Sequence, residues 1–256
     1  MSGITIKTKE EVDALREGGK NLAHVLKELA KVVKPGVTKL ELDYLAEKLI
    51  IEGGDEPAFK NYRPDGAKIA FPATLCVSAN DDVVHGIPTS EPLKEGDIVG
   101  LDLGLKHKGL FTDAAITVGV GKVGRDAQKL MEVTRKSLEV GIKAARAGSY
   151  TGDIGYAIES YVNKFGYGIV RDLSGHGVGY KIHEPPYVPN FGEQGDGVLL
   201  RPGMVLALEP MINIGGDEIV LGKDNFTYRT RDRSLSAHFE KTIVITHGAA
   251  EVLTPW

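Results

Sequence analysis

Cysteine is almost absent: Cys76 is the only one in 256 residues. A lone thiol excludes an intrachain disulfide and a multi-cysteine zinc site, and it fits a reducing compartment, so a cytoplasmic location is the expectation. Long apolar runs are lacking too. Nowhere do about eighteen apolar residues run together, the length a membrane helix needs, and the opening MSGITIKTKEEV has no apolar core behind a basic patch. Neither a membrane partner nor a secretion signal is expected. Charge of one sign is not in excess, since 31 Lys and Arg stand against 35 Asp and Glu without a run of like charges. That balance argues against direct nucleic-acid binding, which needs enough cations to neutralise several phosphates. No Pro-, Ser- or Gly-rich stretch reads as a linker, so residues 1–256 are expected to form a single domain. What remains, 42% hydrophobic and 26% charged residues, is the composition of a globular chain with a sizeable core.

Thr8 to Glu11 matches a capping box, and Val12, Leu15, Leu22, Val25, Leu26, Leu29 and Val33 follow at helical spacing until Pro35-Gly36. A second box, Thr38 to Glu41, opens another helix that ends at Gly53-Gly54. Alternating segments over 97–105 and 110–118, around a polar turn at 106–109, predict a hairpin. The order then recurs, with helices near 125–147 and 151–165 and strands at 204–212 and 238–246. Gly96 lies six residues before Asp102, and Gly203 six before Glu209; Asp113 and Glu240 are each followed by apolar residues at plus three and plus five. Two related halves, about 8–120 and 125–250, are therefore expected to share one site at their interface, each supplying two carboxylates.

Strand alternation sets Asp102 and Glu209 on the face opposite their leucine neighbours. With the turn centred between His107 and Lys108, Asp102 and Asp113 would oppose each other across the hairpin. Like charges so placed are destabilising unless a cation or shared proton resolves them, and a metal is the simplest resolution. Gly175-His176-Gly177-Val178-Gly179 puts an imidazole where the backbone can crowd a site, and His183 and His85 lie in further loops. A single histidine is more often structural or exposed, and His107, His238 and His247 are read that way. Four carboxylates and one imidazole make a hard ligand set suited to Mn, Fe(II) or Co, with Zn tolerated. Two ions roughly 3.5 to 4 Å apart can hold a bridging hydroxide for hydrolysis.

Val83-Val84-His85-Gly86-Ile87-Pro88, Leu101-Asp102-Leu103-Gly104, Thr112-Asp113, Gly175 to Gly179, Leu208-Glu209-Pro210, Arg231 to Ala237 and Phe239 to Ile243 together closely resemble the type I methionine aminopeptidases across nearly the whole chain. The resemblance implies an α+β pita-bread fold, a curved antiparallel sheet backed by helices in two pseudo-symmetric halves. It also implies removal of initiator methionine before a small second residue, and this chain's own Met1-Ser2 fits that rule. Asp102 would bind one metal and His176 the other, with Asp113, Glu209 and Glu240 completing or bridging the pair. Glu209 would shuttle the proton of the nucleophilic water, His183 contact the scissile carbonyl and His85 the scissile amide nitrogen. Phe71, Cys76, Ile182 and Phe226 would surround the methionine side chain; Tyr, Phe and Trp are more usual in the family where Phe71, Ile182 and Phe226 stand. The implied partners are nascent polypeptide N-termini, met by a monomer through transient ribosome association.

Two rivals are weaker. Prolidases and aminopeptidase P usually carry an extra N-terminal domain, and the roughly 80 residues before His85 are too few for one beside the helices already assigned. A metal-free peptide-binding relative would have no physical reason to keep all five ligands.

Overall fold

The structure, a computed structural model, describes residues 3–63 and 69–256; Met1 and Ser2 lie outside that range. Helix α1 spans Lys9–Val32 and α2 spans Lys39–Glu52. Both begin with the expected reciprocal caps: Thr8 accepts from the Glu11 amide while Glu11 accepts from the Thr8 amide, and Thr38 and Glu41 repeat the exchange. Leu22, Leu26 and Leu29 of α1 are fully buried against Leu101, Leu103 and Leu105 of the sheet. Gly18 lets the helix lie this close, because a Cβ there would stand 2.7 Å from His107 Cβ. In the second half, α3 (Arg125–Ala144) and α4 (Thr151–Val162) cover the sheet in the same way. No helix among the described residues is long and apolar enough to cross a membrane.

The predicted hairpin forms from Ile98–His107 and Leu110–Gly119. Its register corrects one expectation: Asp102 pairs with Ala115, and Asp113 with Gly104. The turn is the two-residue Lys108-Gly109, with φ of 49° and 84°. A turn with both central residues at positive φ matches the twist of the flanking strands, which moves the pairing by two positions. An even shift preserves the face, so the two aspartates remain on the same side as diagonal neighbours.

The strands expected over 204–212 and 238–246 are each broken, the first at Glu209-Pro210 and the second at Phe239. Val205–Leu208 pairs with Glu240–Val244 in a nine-stranded sheet, whereas Met211–Asn213 and Ser236–His238 belong to a three-stranded one. Pro210 explains the break, since it has no N–H to give a ladder. The chain therefore leaves one sheet for the other at Glu209-Pro210 and at Phe239, which stations both glutamates where the sheets diverge.

Candidate active site

Cα partners cross the nine-stranded sheet from Cys76 to Asp102 to Ala115 to Glu240. Directly opposed residues share a face, so Cys76, Asp102, Asp113 and Glu240 project from the side away from Leu101 and Leu103. His176 opposes Ala207, which opposes Thr242, so imidazole and hydroxyl join the same face. Thr242 Oγ1 donates to the Asp113 carbonyl at 2.7 Å and accepts from the Asp113 amide at 3.0 Å. Asn190 Nδ2 donates to the Glu209 carbonyl at 3.1 Å.

The five residues expected to ligate metal come together. One set of oxygen and nitrogen atoms within 4.8 Å of one another comes from Asp102, Asp113 and Glu240; a second comes from His176, Glu209 and Glu240. Asp102 Oδ1, Asp113 Oδ1 and Glu240 Oε1 are buried without a hydrogen-bond partner. Burial raises the carboxyl of Asp102 to about 7; burial, reinforced by the neighbouring carboxylates, pushes Asp113, Glu209 and Glu240 well above the usual range.

His176 Nδ1 lies 2.9 Å from the Gly177 carbonyl, which can only accept, so the proton sits on Nδ1. Burial lowers His176 to about 3, leaving a neutral ring with the Nε2 lone pair 3.4 Å from Glu209 Oε1 and 3.9 Å from Asp113 Oδ2. A lone pair facing carboxylates requires an intervening proton or cation. Orphaned acids, a neutral imidazole and two triads sharing Glu240 fit divalent metal.

Above the acids stands a cavity walled by Phe59, Tyr62, Phe71, Cys76 and Phe226, with His85 and His183 also on its lining. Phe71 and Phe226 pack edge-on with centroids 5.4 Å apart. Ile182 departs from expectation: it belongs to the same apolar cluster but lines a neighbouring groove, behind Gly104. Burial and then the Asp102 carboxylate push the Cys76 thiol up, which rules against a nucleophilic thiolate. His85 sits at φ 58° beside Gly86, and burial lowers its ring to about 4. His183 Nδ1 meets Tyr62 Oη at 2.9 Å, and its ring stands edge-on to His176 at 4.5 Å.

Phe59, Tyr62, Thr242 and Asn190 escaped the sequence reading because none carries a local signal. His238 is buried with Nε2 3.9 Å from Glu209 Oε2, so it is no remote structural residue. His107 does bind structurally, to Asp55 at 2.6 Å and Glu17 at 3.1 Å, and His247 is exposed, both as expected.

Residues 13–247 match Metallopeptidase family M24. The chain belongs to that family. Membership in M24 implies use of a divalent metal, in agreement with the acid cluster. Among M24 relatives, methionine aminopeptidase of Clostridium perfringens is 43% identical over 98% of both chains. The solved methionine aminopeptidase of Rickettsia prowazekii superposes with a TM-score of 0.94 at 40% identity, covering 98% of this chain and 99% of that one. Prolidase from Pyrococcus furiosus shares the fold alone, with a TM-score of 0.79 at 22% identity over 98% of this chain and 65% of its own. The architecture is the pita-bread fold, as the resemblance implied.

Proposed function

We propose that this M24 protein is a methionine aminopeptidase that removes the initiator methionine from nascent polypeptides when the second residue is small. The observation that carries the reading is the meeting, in one cavity, of an apolar wall and a floor of four carboxylates, three of them with an orphaned oxygen, beside a neutral imidazole. Phe59, Tyr62, Phe71, Cys76 and Phe226 give an unbranched thioether apolar contact on several sides, with Ile182 behind them. Asp102, Asp113, His176, Glu209 and Glu240 would hold two divalent ions, Co, Mn, Fe(II) or Zn, which when bound acidify water and polarise the scissile carbonyl. Glu209 takes the proton of the attacking water and returns it to the leaving amine as the C–N bond breaks. His183, its Nδ1 held 2.9 Å from Tyr62 Oη, would donate from Nε2 to the carbonyl oxygen as charge develops there. His85, a neutral ring on the lining of the same cavity, would face the scissile amide nitrogen.

The two halves act as one catalytic domain, because each contributes acids to a single centre. The same reading has the protein working as a cytoplasmic monomer that engages neither membrane nor nucleic acid and meets its substrates by transient association with the ribosome. Co-sedimentation with ribosomes at low but not high salt is the expected result, and no pelleting at either would refute that association.

The decisive assay strips the protein with chelator, restores Mn, Fe(II) or Co anaerobically, and follows methionine release from Met-Ala-Ser and Met-Leu-Ser. Cleavage of the alanine peptide only, dependent on metal and abolished by Glu209→Gln, is expected. No cleavage with any metal would overturn the reading.

A further inference from the structure

We propose that the groove beside the active-site mouth is a subsite for the third and fourth residues of the substrate chain and that it favours acidic side chains there. The inference rests on the aminopeptidase reading and extends it past the bond that is cut. The groove is continuous with the catalytic cavity, since Tyr62 and His183 line both. Beyond them its walls are Arg63, Phe111, Tyr180 and Lys181, and among the described residues no acidic one lines it.

Charge gives the direction of the preference. Among the described residues neither Arg63 nor Lys181 is in an ion pair, while Glu11, Glu56 and Glu184 are already engaged. Glu11 accepts from Tyr180 Oη at 2.7 Å, Glu56 is paired with Lys106 at 3.2 Å, and Glu184 is buried against Lys7 at 2.8 Å. Tyr180 is 44% exposed and supported from behind by the Lys7 ammonium, 4.5 Å from its ring centroid. An extended peptide advances roughly 3.3 Å per residue. A chain whose scissile carbonyl meets His183 therefore lays its next residues along Tyr62 and Lys181, on an aromatic surface flanked by the cations Arg63 and Lys181. Two cations are too few for a nucleic-acid surface, where about 6–10 phosphate contacts are usual. They suit one or two carboxylates of a peptide.

The test compares kcat/KM of the Mn-loaded protein for C-terminally amidated Met-Ala-Glu-Glu and Met-Ala-Lys-Lys, with Met-Ala-Ser-Ser as reference. At low salt the acidic peptide should be favoured about fivefold, the size expected of two exposed ion pairs. The ratio should fall toward one near 1 M salt, where screening acts within about 3 Å. Lys181→Glu and Arg63→Glu should each lower or invert the ratio. Because the ratio is taken within one protein, a general loss of activity cancels, and the salt dependence of the unaltered protein stands even where a variant fails to fold. A ratio of one or less at low salt, or one that the substitutions leave unchanged while Met-Ala-Ser-Ser is cleaved, overturns the subsite alone. Failure to cleave any of the three peptides overturns the aminopeptidase reading and the subsite with it.

Discussion

At the scale of single residues, the backbone of Asp113 is fixed by a hydroxyl from another strand. Thr242 both donates to the Asp113 carbonyl and accepts from its amide, with no exposure to water. Thr242→Val keeps the shape but leaves a buried N–H and C=O short of a partner, which costs about 1–3 kcal/mol. Thermal unfolding should show that loss, and an unchanged midpoint would show that the bond contributes nothing. In the apolar wall, Phe71 is buried against Phe226. Phe71→Ala should raise KM for Met-Ala-Ser at least tenfold with a smaller change in kcat, because it removes contact made equally in ground and transition states. Loss confined to kcat would place Phe71 outside the methionine pocket.

At the scale of elements, the segment carrying Ile182 and His183 is held by one buried acid. Glu184 accepts from the amides of Tyr180 and Lys181, from Thr5 Oγ1 and from Lys7 Nζ, and both partners of the ion pair are nearly inaccessible. Burial raises its pKa, but Lys7, Thr5 and the Lys181 amide together outweigh that and hold it below the usual range. A depressed acid contributes stability that is present above the unfolded pKa and is lost as pH falls through the folded one. Glu184→Gln leaves the Lys7 ammonium buried and unpaired, and breaking such a pair costs about 3–5 kcal/mol. Denaturant titration at pH 7 should show this deficit, and it should shrink at pH 4 and below. Lys7→Met combined with Glu184→Gln should recover part of it; a double variant as weak as the sum of the singles would refute the pairing. The hairpin teaches a related lesson, for Lys108-Gly109 decides by its backbone sign which residues oppose Asp102 and Asp113.

For the molecule as a whole, the metal-free centre is a source of pH-dependent instability. Asp102 rises from its usual 3.8 to about 7, so between those values the native state keeps a proton that the unfolded chain has lost. Metal-free stability therefore declines as pH rises through that window. Asp113, Glu209 and Glu240 shift in the same direction. Divalent ions bound by these acids would replace those protons, so stabilisation by metal should grow with pH. The difference in Tm between metal-loaded and chelated protein should widen from pH 5 to pH 8. A difference that stays constant or narrows would show that the acid cluster does not bind the ion.

The capping boxes at Thr8 and Thr38 and the glycine-to-acid spacing before Asp102 and Glu209 were legible in the chain because each is a local pattern enforced by backbone geometry. Asp102, Asp113, Glu209 and Glu240 were legible too, since acids in apolar strands have no ordinary reason to be there, and His176 was legible from its glycine-flanked segment together with the family resemblance. Tertiary structure alone decided the rest. It turned both acidic strands out of one sheet and into another at Glu209 and Phe239, brought Thr242 to Asp113 across 129 residues and His238 to Glu209, and placed Ile182 in the neighbouring groove while Phe59 and Tyr62 formed the wall. Periodicity reports which face a side chain takes; only packing between distant segments determines which side chains meet there.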